Sequence, residues 1–306
     1  MSELYHRGEI ALQELTGERA QALLNGRVIV PVVPPPARPF VGQQTSVAVG
    51  WLDQAGQPWA SLIVGEPGFA SCSDDGTAVT LRGALPSHVV DGDTGGVREG
   101  GAVGMLVIDL ATRRRLRVNG VAGQVGPRGL RVAVEQAYPN CPKYIQKRER
   151  LDAPATAAVT AFSSGSGLPP GLEDWLSSTD TAFVATVGPD GRVDCSHRGG
   201  RRAFLRMDGD AILMPDYPGN SMFCTLGNIF AEPRAGLALV DFEGGRQLHL
   251  SGDAWVEVAG AGRTNQPTGA GRWWRLRPLR WVVTPLGGNV AWRLVEESPF
   301  NPPVQP

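Results

Sequence analysis

The feature that most constrains the fold of this 306-residue chain is an internal repeat. The segment GMLVIDLATRRRLRVNGVA, which begins at Gly104, aligns without a gap on GLALVDFEGGRQLHLSGDA, which begins at Gly236. The identical positions include Gly120 and Gly252. An earlier pair of segments, VGWLDQAGQPWAS and VATVGPDGRVDCS, corresponds at a similar spacing. Two copies of the same pattern predict a tandem duplication of one β unit.

The composition excludes several classes of protein. A formal net charge of -1 and 42% hydrophobic residues indicate an ordinary globular protein with room for two domains. Arginine clusters without overall basicity argue against nucleic acid as a partner. Four scattered cysteines predict neither a metal site nor a disulfide framework. No signal core and no run of roughly 20 apolar residues is present, so we expect no membrane span and a cytoplasmic location.

The densest polar chemistry lies in residues 193–252. Alternating apolar side chains from Ala203 predict a strand, and the Asp-Gly pair that follows predicts a hairpin with a second strand. Asn220 and Ser221 predict the N-cap of a short helix. Two further strands follow, and Gln247 opens the last one. The predicted order is therefore strand, strand, helix, strand, strand.

This order resembles the flavin-binding split barrel of the pyridoxamine 5'-phosphate oxidase family. The segment RRAFLR resembles the family's R-x-V-L-L-K strand, which implies that Arg201 and Arg206 hold flavin mononucleotide (FMN). The segment QLHLSG resembles the family's Q-V-R-V-E-G strand, which implies that Gln247 contacts the flavin ring. At the family's Ser-Arg-Lys phosphate grip this chain reads Asn-Ser-Met. A phosphate would then depend on Asn220, Ser221, free N–H groups and the arginines of the hairpin.

The segment Ser-His-Arg-Gly-Gly is interpreted as a ligand loop. Its two glycines allow the backbone to approach a ligand closely, and His197 is a group that exchanges protons near neutral pH. We therefore predict His197 as the catalytic residue and Ser196 and Arg198 as cofactor contacts. A solvated turn is the alternative interpretation. The tryptophans are interpreted as core residues.

Changes in composition divide the chain into three parts. Residues 1–40 are predicted to form an N-terminal helical segment and an extended proline-rich connector. Residues 41–162 are predicted to form the first split barrel and residues 163–306 the second, which starts with the linker SSGSGLPPG. The resemblance implies an arrangement like a homodimer, in which two single-barrel subunits pair and the flavin lies at the seam between them. Two barrels in one chain therefore predict a mainly β fold and an intrachain pseudo-dimer, and further homodimerisation stays open.

Together, these expectations predict an FMN-dependent oxidoreductase that acts on a small-molecule substrate. NAD(P)H or a separate reductase would supply the electrons. FAD, a deazaflavin and haem stay open as alternative cofactors. A non-catalytic flavin- or haem-binding module is the alternative function. The pattern gives neither the substrate, nor the direction of electron flow, nor the number of sites.

Overall fold

The computed structural model describes residues 4–83, 85–90, 95–126, 128–151, 162–258, 272–287 and 290–302. The N-terminal segment contains two helices, as its pattern predicts: α1, Arg7–Leu15, and α2, Arg19–Asn25. The proline-rich connector is not the extended chain that was predicted. A short 3-10 helix begins at Pro35. Proline is tolerated in the first turn of a helix, because the N–H that it lacks would have no helical partner there. The chain then enters α3, Arg38–Gln43.

The first sheet follows α3 and contains seven antiparallel strands. They are β1 Ser46–Leu52, β2 Pro58–Val64, β3 Ala70–Cys72, β4 Ala78–Arg82, β5 Ala102–Asp109, β6 Arg114–Gly126 and β7 Gly129–Asn140. Their order across the sheet is β2-β1-β5-β6-β7-β4-β3. Helix α4, Ser87–Val90, lies between β4 and β5 in the chain.

The second sheet repeats this arrangement. Before it come β8, Lys147–Leu151, β9, Ser163–Ser166, and helix α5, Leu172–Ser178. Its strands are β10 Thr181–Val187, β11 Val193–Gly199, β12 Arg206–Asp208, β13 Ala211–Pro215, β14 Arg234–Asp241, β15 Arg246–Val258 and β16 Arg272–Pro285, with helix α6, Cys224–Ala231, before β14. The order β11-β10-β14-β15-β16-β13-β12 matches the first sheet position by position. The predicted mainly β fold with two units of split-barrel type is confirmed.

The two sheets share one β-bulge at equivalent positions. A β-bulge interrupts the pairing of β6 with β7 immediately before Gly120, and another interrupts that of β15 with β16 immediately before Gly252. A Cβ atom at Gly120 would lie 1.9 Å from the carbonyl oxygen of Ala133, and one at Gly252 would lie 1.9 Å from that of Arg277. Only glycine fits, because backbone of the next strand occupies the place of the side chain.

The two sheets pack against each other through an apolar cluster to which both contribute. Its members include Leu62 and Leu106 from the first sheet and Phe183 from the second, all buried. Strands β1 and β10 lie close together at Gly50, where a Cβ atom would lie 2.8 Å from Cβ of Ala185. Each sheet therefore buries the apolar face of the other, and the seam between them lies inside one chain.

A small third sheet connects the two halves. Strand β17, Ala291–Glu296, lies in the part of the chain predicted to form the second barrel, but it pairs with β8 in a separate sheet. The linker predicted before the second barrel is partly ordered as β9, which pairs with β16. No helix in the described part of the chain is long and apolar enough to cross a membrane.

Two local predictions in the second half need correction. The strand predicted from Ala203 begins three residues later, as β12, because Ala203 has a φ of 63° and belongs to a turn. The predicted Asp-Gly hairpin itself is present, since β12 pairs with β13. The helix predicted after Asn220 begins only at Cys224. Ser221 and Phe223 have φ values of 60° and 61°, which a right-handed helix cannot contain.

Candidate functional site

A cleft opens at the seam between the two sheets, beside the start of α6. Strand β6 of the first sheet contributes Arg115 and Arg117 to its lining. Strand β11 of the second sheet contributes Ser196, His197 and Arg198. The cleft encloses about 120 Å³, and about 900 Å³ when its open mouth is included. Both halves of the chain are therefore needed to form it.

Three arginines of the cleft are held by carboxylates. Arg117 pairs with Asp194 at 3.0 Å, and both side chains are buried. Arg198 and Arg272 share the carboxylate of Asp216, each at 3.0 Å. These contacts fix the arginine heads in the wall of the cleft. Because each guanidinium has five N–H donors, donors are left over for a ligand.

The fourth arginine, Arg115, has no carboxylate within ion-pair distance in the described part of the chain. Its Nε donates to the carbonyl oxygen of Cys141 at 2.9 Å, and its Nη1 lies 3.2 Å from Nδ1 of His197. Burial and the neighbouring Arg117 lower the pKa of Arg115 to about 10, so it stays protonated at neutral pH. An uncompensated guanidinium suits a phosphate or carboxylate ligand.

His197 is buried, and Arg115 determines which of its nitrogens carries the proton. A guanidinium only donates, so Nδ1 accepts and Nε2 bears the hydrogen of the neutral ring. Burial lowers the pKa of His197 well below its usual value, and Arg115 and Arg198 lower it further. Nε2 has no hydrogen-bond partner among the described residues. This arrangement favours a neutral N–H donor toward a ligand over proton exchange near neutral pH.

Other buried polar atoms of the lining also lack partners within the described residues. They are Nε of Arg117, Nε of Arg198 and Oδ1 of Asn140. Buried polar groups in proteins are normally hydrogen-bonded, so these atoms are available to a polar ligand or to water. The rings of Tyr144 and Tyr217, with centroids 5.1 Å apart, add aromatic surface. The lining therefore fits a ligand that combines an anionic group with a flat ring, as a flavin phosphate does.

Five of the predicted site residues line this cleft: Ser196, His197, Arg198, Asn220 and Ser221. Two of the hydroxyl groups already have partners. Ser196 Oγ lies 2.9 Å from Oγ1 of Thr225, and Ser221 Oγ donates to Glu18 at 2.6 Å. The left-handed turn at Ser221 and Phe223 brings this segment to the cleft in place of a helix start.

The other three predicted contacts lie outside the cleft. Arg201 is half exposed and pairs with Glu297 at 3.1 Å. Arg206 lies on β12, and its guanidinium is 5.9 Å from the ring centroid of Trp273 on β16. Gln247 is fully buried, and its amide bonds to the backbone of Leu62 in the first sheet. The Leu62 N–H donates to Oε1 at 2.8 Å, and Nε2 donates to the Leu62 carbonyl oxygen at 2.9 Å.

The repeat gives the two sheets a second seam that corresponds to the cleft. At this second seam, protein side chains occupy the corresponding space. At the second seam, β15 has Gln247 and His249 at the positions where β6 has Arg115 and Arg117. His249 Nδ1 lies 2.8 Å from the carbonyl oxygen of Ala60, and its ring lies 4.6 Å from that of His88. Ser61 Oγ lies 2.9 Å from Nε2 of His88. Among the described residues, one seam is thus an open cleft and its counterpart is closed.

Motif comparison does not single out Arg115, Arg117 or Arg272. The repeat contains the missing signal for the first two, because it aligns Arg115 with Gln247 and Arg117 with His249. The seam combines β6 of one copy with β11 of the other, so a search for motifs within a single copy overlooks it. Arg272 belongs to a basic and aromatic run whose pairing partners lie far away in sequence.

Two sheets of identical strand order, with a basic cleft at their seam, define a tandem split-barrel protein. Residues 168–276 match the family model of pyridoxamine 5'-phosphate oxidase. This match covers about a third of the chain and confirms the resemblance noted in its sequence. No curated protein sequence matches the chain.

Several solved structures are similar to parts of the chain. HupZ from Group A Streptococcus is 17% identical, and the match covers 43% of this chain and 98% of HupZ with a TM-score of 0.25. The haem storage protein HutZ from Vibrio cholerae is 14% identical, with 37% and 90% covered and a TM-score of 0.26. A pyridoxamine 5'-phosphate oxidase-related, FMN-binding protein from Nostoc punctiforme is 14% identical, with 41% and 90% covered and a TM-score of 0.28.

Proposed function

We propose that this protein is a flavin-dependent oxidoreductase that binds one molecule of FMN, or of a related flavin, in the seam cleft. The observation that carries the proposal is Arg115, a partly buried cation that lines the cleft without a carboxylate partner in the described chain. A buried cation of this kind is stabilised when an anionic ligand binds beside it. The phosphate of a flavin nucleotide supplies such an anion.

Three side chains have distinct roles in this proposal. Arg115 and Arg198 bind the phosphate from opposite halves of the chain, because each retains unused N–H donors. His197 donates from Nε2 to an acceptor atom of the ligand and stays neutral. The flavin, when bound, supplies the two-electron chemistry. The substrate is a small molecule that enters through the open mouth, and NAD(P)H or a reductase donates electrons.

The proposal assigns one cofactor to each chain. At the counterpart seam, Gln247 and His249 bond to the backbone of the opposite sheet and occupy the positions that correspond to two arginines of the cleft. FAD and a deazaflavin share the anionic group and the flat ring, so the lining does not separate them from FMN. The filled counterpart supports a stoichiometry of one cofactor per chain.

A haem-binding module without turnover is the second candidate, and the free imidazole nitrogen of His197 is the observation that favours it. Iron would have to bind Nε2, which requires that the remaining proton move to Nδ1. Nδ1 would then place its hydrogen against the donor Nη1 of Arg115 at 3.2 Å. Haem ligation therefore requires Arg115 to leave its present position, whereas flavin binding does not.

Titration of FMN with detection by flavin fluorescence quenching tests the proposal. Arg115→Gln is expected to weaken binding about ten- to a hundredfold, because a charge-assisted contact is lost. Arg201→Gln is the matched control, since Arg201 is exposed outside the cleft and its loss is expected to change affinity little. Mass spectrometry of the complex should show one flavin per chain.

Two results would contradict the proposal. The first is a wild-type protein that takes up no flavin at millimolar concentration. The second is a normal affinity in Arg115→Gln together with a weakened one in Arg201→Gln, which would place the phosphate at the motif arginines of the second copy. An absorption spectrum after haem addition separates the second candidate, because iron ligation by His197 would produce a haem band that His197→Gln removes.

A further inference from the structure

A second cavity lies beneath the N-terminal helix and is called the N-terminal cavity here. Its lining includes Glu9 of α1, Asn119 of β6, Gln136 of β7 and Asp194 of β11. It encloses about 300 Å³, which corresponds by volume to about ten water molecules. Cys224 lines both this cavity and the cleft, so the two spaces are neighbours. The proposed flavin site makes no use of the N-terminal cavity.

Two buried acceptor atoms of this lining have no partner among the described residues. Asn119 donates from Nδ2 to Oε1 of Gln136 at 3.2 Å and to Oδ1 of Asp194 at 3.4 Å, so its amide orientation is set and its carbonyl oxygen is left over. Asp194 pairs through Oδ1 with Arg117, and its Oδ2 is left over. The two side chains are only 5% and 4% exposed. Unpaired acceptors at this depth are costly, so a hydrogen-bond donor placed beside them would be stabilised.

The other carboxyl groups of the lining already have partners. Asp190 pairs with Arg192 at 3.0 Å, and Glu9 accepts the backbone N–H of His6 at 3.0 Å. His6 offers no spare donor, because Nε2 lies 2.7 Å from Oδ1 of Asn228 and Nδ1 accepts a backbone N–H. The buried unpartnered atoms of the lining, within the described residues, are therefore acceptors.

We propose that the N-terminal cavity binds a small organic amine through its primary ammonium group. The carbonyl oxygen of Asn119 and the free carboxylate oxygen of Asp194 accept two of the three ammonium N–H groups. An ammonium group has donors and no acceptors, which matches these two atoms. Contacts between an ammonium and a carboxylate are also stronger than neutral hydrogen bonds. The cavity volume suits an aliphatic amine of up to about ten non-hydrogen atoms.

Isothermal titration calorimetry of the full-length protein with n-butylammonium chloride tests this proposal. The wild-type protein is expected to bind n-butylammonium at least about tenfold more tightly than n-butanol, which has the same size without the charge. Sodium butyrate, which carries acceptors only, is expected not to bind in this cavity. These three probes require no change to the protein.

A pair of variants locates the binding. Asn119→Leu keeps the volume of the side chain and removes its carbonyl, so it should weaken n-butylammonium binding about tenfold. Ser251→Ala is the matched control. Ser251 occupies the equivalent place in the second sheet and also has a buried hydroxyl without a partner in the described chain. Its removal should leave binding unchanged, and urea unfolding verifies that both variants are folded.

Three results would overturn the proposal. They are equal affinity for n-butylammonium and n-butanol, no measurable binding of n-butylammonium, and unchanged affinity in a folded Asn119→Leu. If that variant does not fold, the probe comparison on the wild-type protein still decides the question. Failure of FMN to bind in the cleft would leave this result untouched, because the ammonium site shares no ligand-contacting residue with the proposed flavin site.

Discussion

The buried histidine pair in the closed seam should make the stability of this protein depend on pH. His249 is fully buried, and burial lowers its pKa to about 4, although the hydrogen bond to Ala60 acts in the opposite direction. Burial also lowers the pKa of His88 well below its usual value, and His249 lowers it further. In the unfolded chain a histidine titrates near pH 6.5. Protons therefore bind the unfolded chain more strongly between pH 6.5 and pH 4.

The size of the effect follows from this difference in proton binding. Stability from His249 is complete above pH 6.5 and is lost as the pH falls toward 4. Between pH 7 and pH 5 the loss from this single group is about 2 kcal/mol, using a folded pKa of about 4. Glu9 acts in the opposite sense, because burial raises its pKa to about 7 and the folded state then binds that proton more strongly.

Urea unfolding of the wild-type protein and of His249→Asn at pH 7 and pH 5 measures this contribution. Asparagine retains an N–H for the Ala60 carbonyl oxygen and does not titrate. The variant should be less stable at pH 7, yet its loss of unfolding free energy from pH 7 to pH 5 should be about 2 kcal/mol smaller. Glu9 is present in both proteins and cancels in the comparison. Equal losses in the two proteins would refute the reasoning.

Two further predictions concern the fold, and urea unfolding at neutral pH tests both. Asp180→Asn should lower the free energy of unfolding by about 3 kcal/mol, because it leaves the buried guanidinium of Arg148 without a carboxylate. Its control is Glu149→Gln, which breaks the exposed pair with Arg293 next to Arg148 on β8 and should cost less than about 1 kcal/mol. Gly252→Ala should cost on the order of 1–3 kcal/mol because its Cβ would overlap backbone, whereas Gly126→Ala meets nothing within 4 Å and should be nearly neutral. Equal losses within either pair would contradict the argument.

The repeat made most of the architecture predictable. The bounds of β5 and β6 match those of β14 and β15 at the spacing that aligns Gly104 with Gly236. Local patterns also predicted the Asp-Gly hairpin and the strand that opens with Gln247. These features depend on residues close together in sequence or on direct comparison of the copies. For that reason a single sequence was sufficient to predict them.

The composition of the cleft was less predictable, because it depends on how the two halves meet. Arg115 approaches His197 only after the sheets have packed, and these residues are 82 positions apart. The left-handed backbone at Ser221 was also hidden, since a serine followed by apolar residues is typical of a helix start. The pattern of apolar and polar side chains predicts secondary structure well. It does not predict which strands of the two copies face each other.

A pair of equivalent positions explains how one chain can have an open seam and a closed one. In a symmetric homodimer both seams contain the same residues, so both are open or both are closed. Duplication within one chain removes this restriction. Gln247 is short enough to bond the Leu62 backbone and close its seam, whereas the equivalent Arg115 reaches the carbonyl oxygen of Cys141 and Nδ1 of His197 and keeps an unpaired charge beside the cleft. The sequence difference between two aligned strands therefore determines which seam is filled by its own side chains in the described structure.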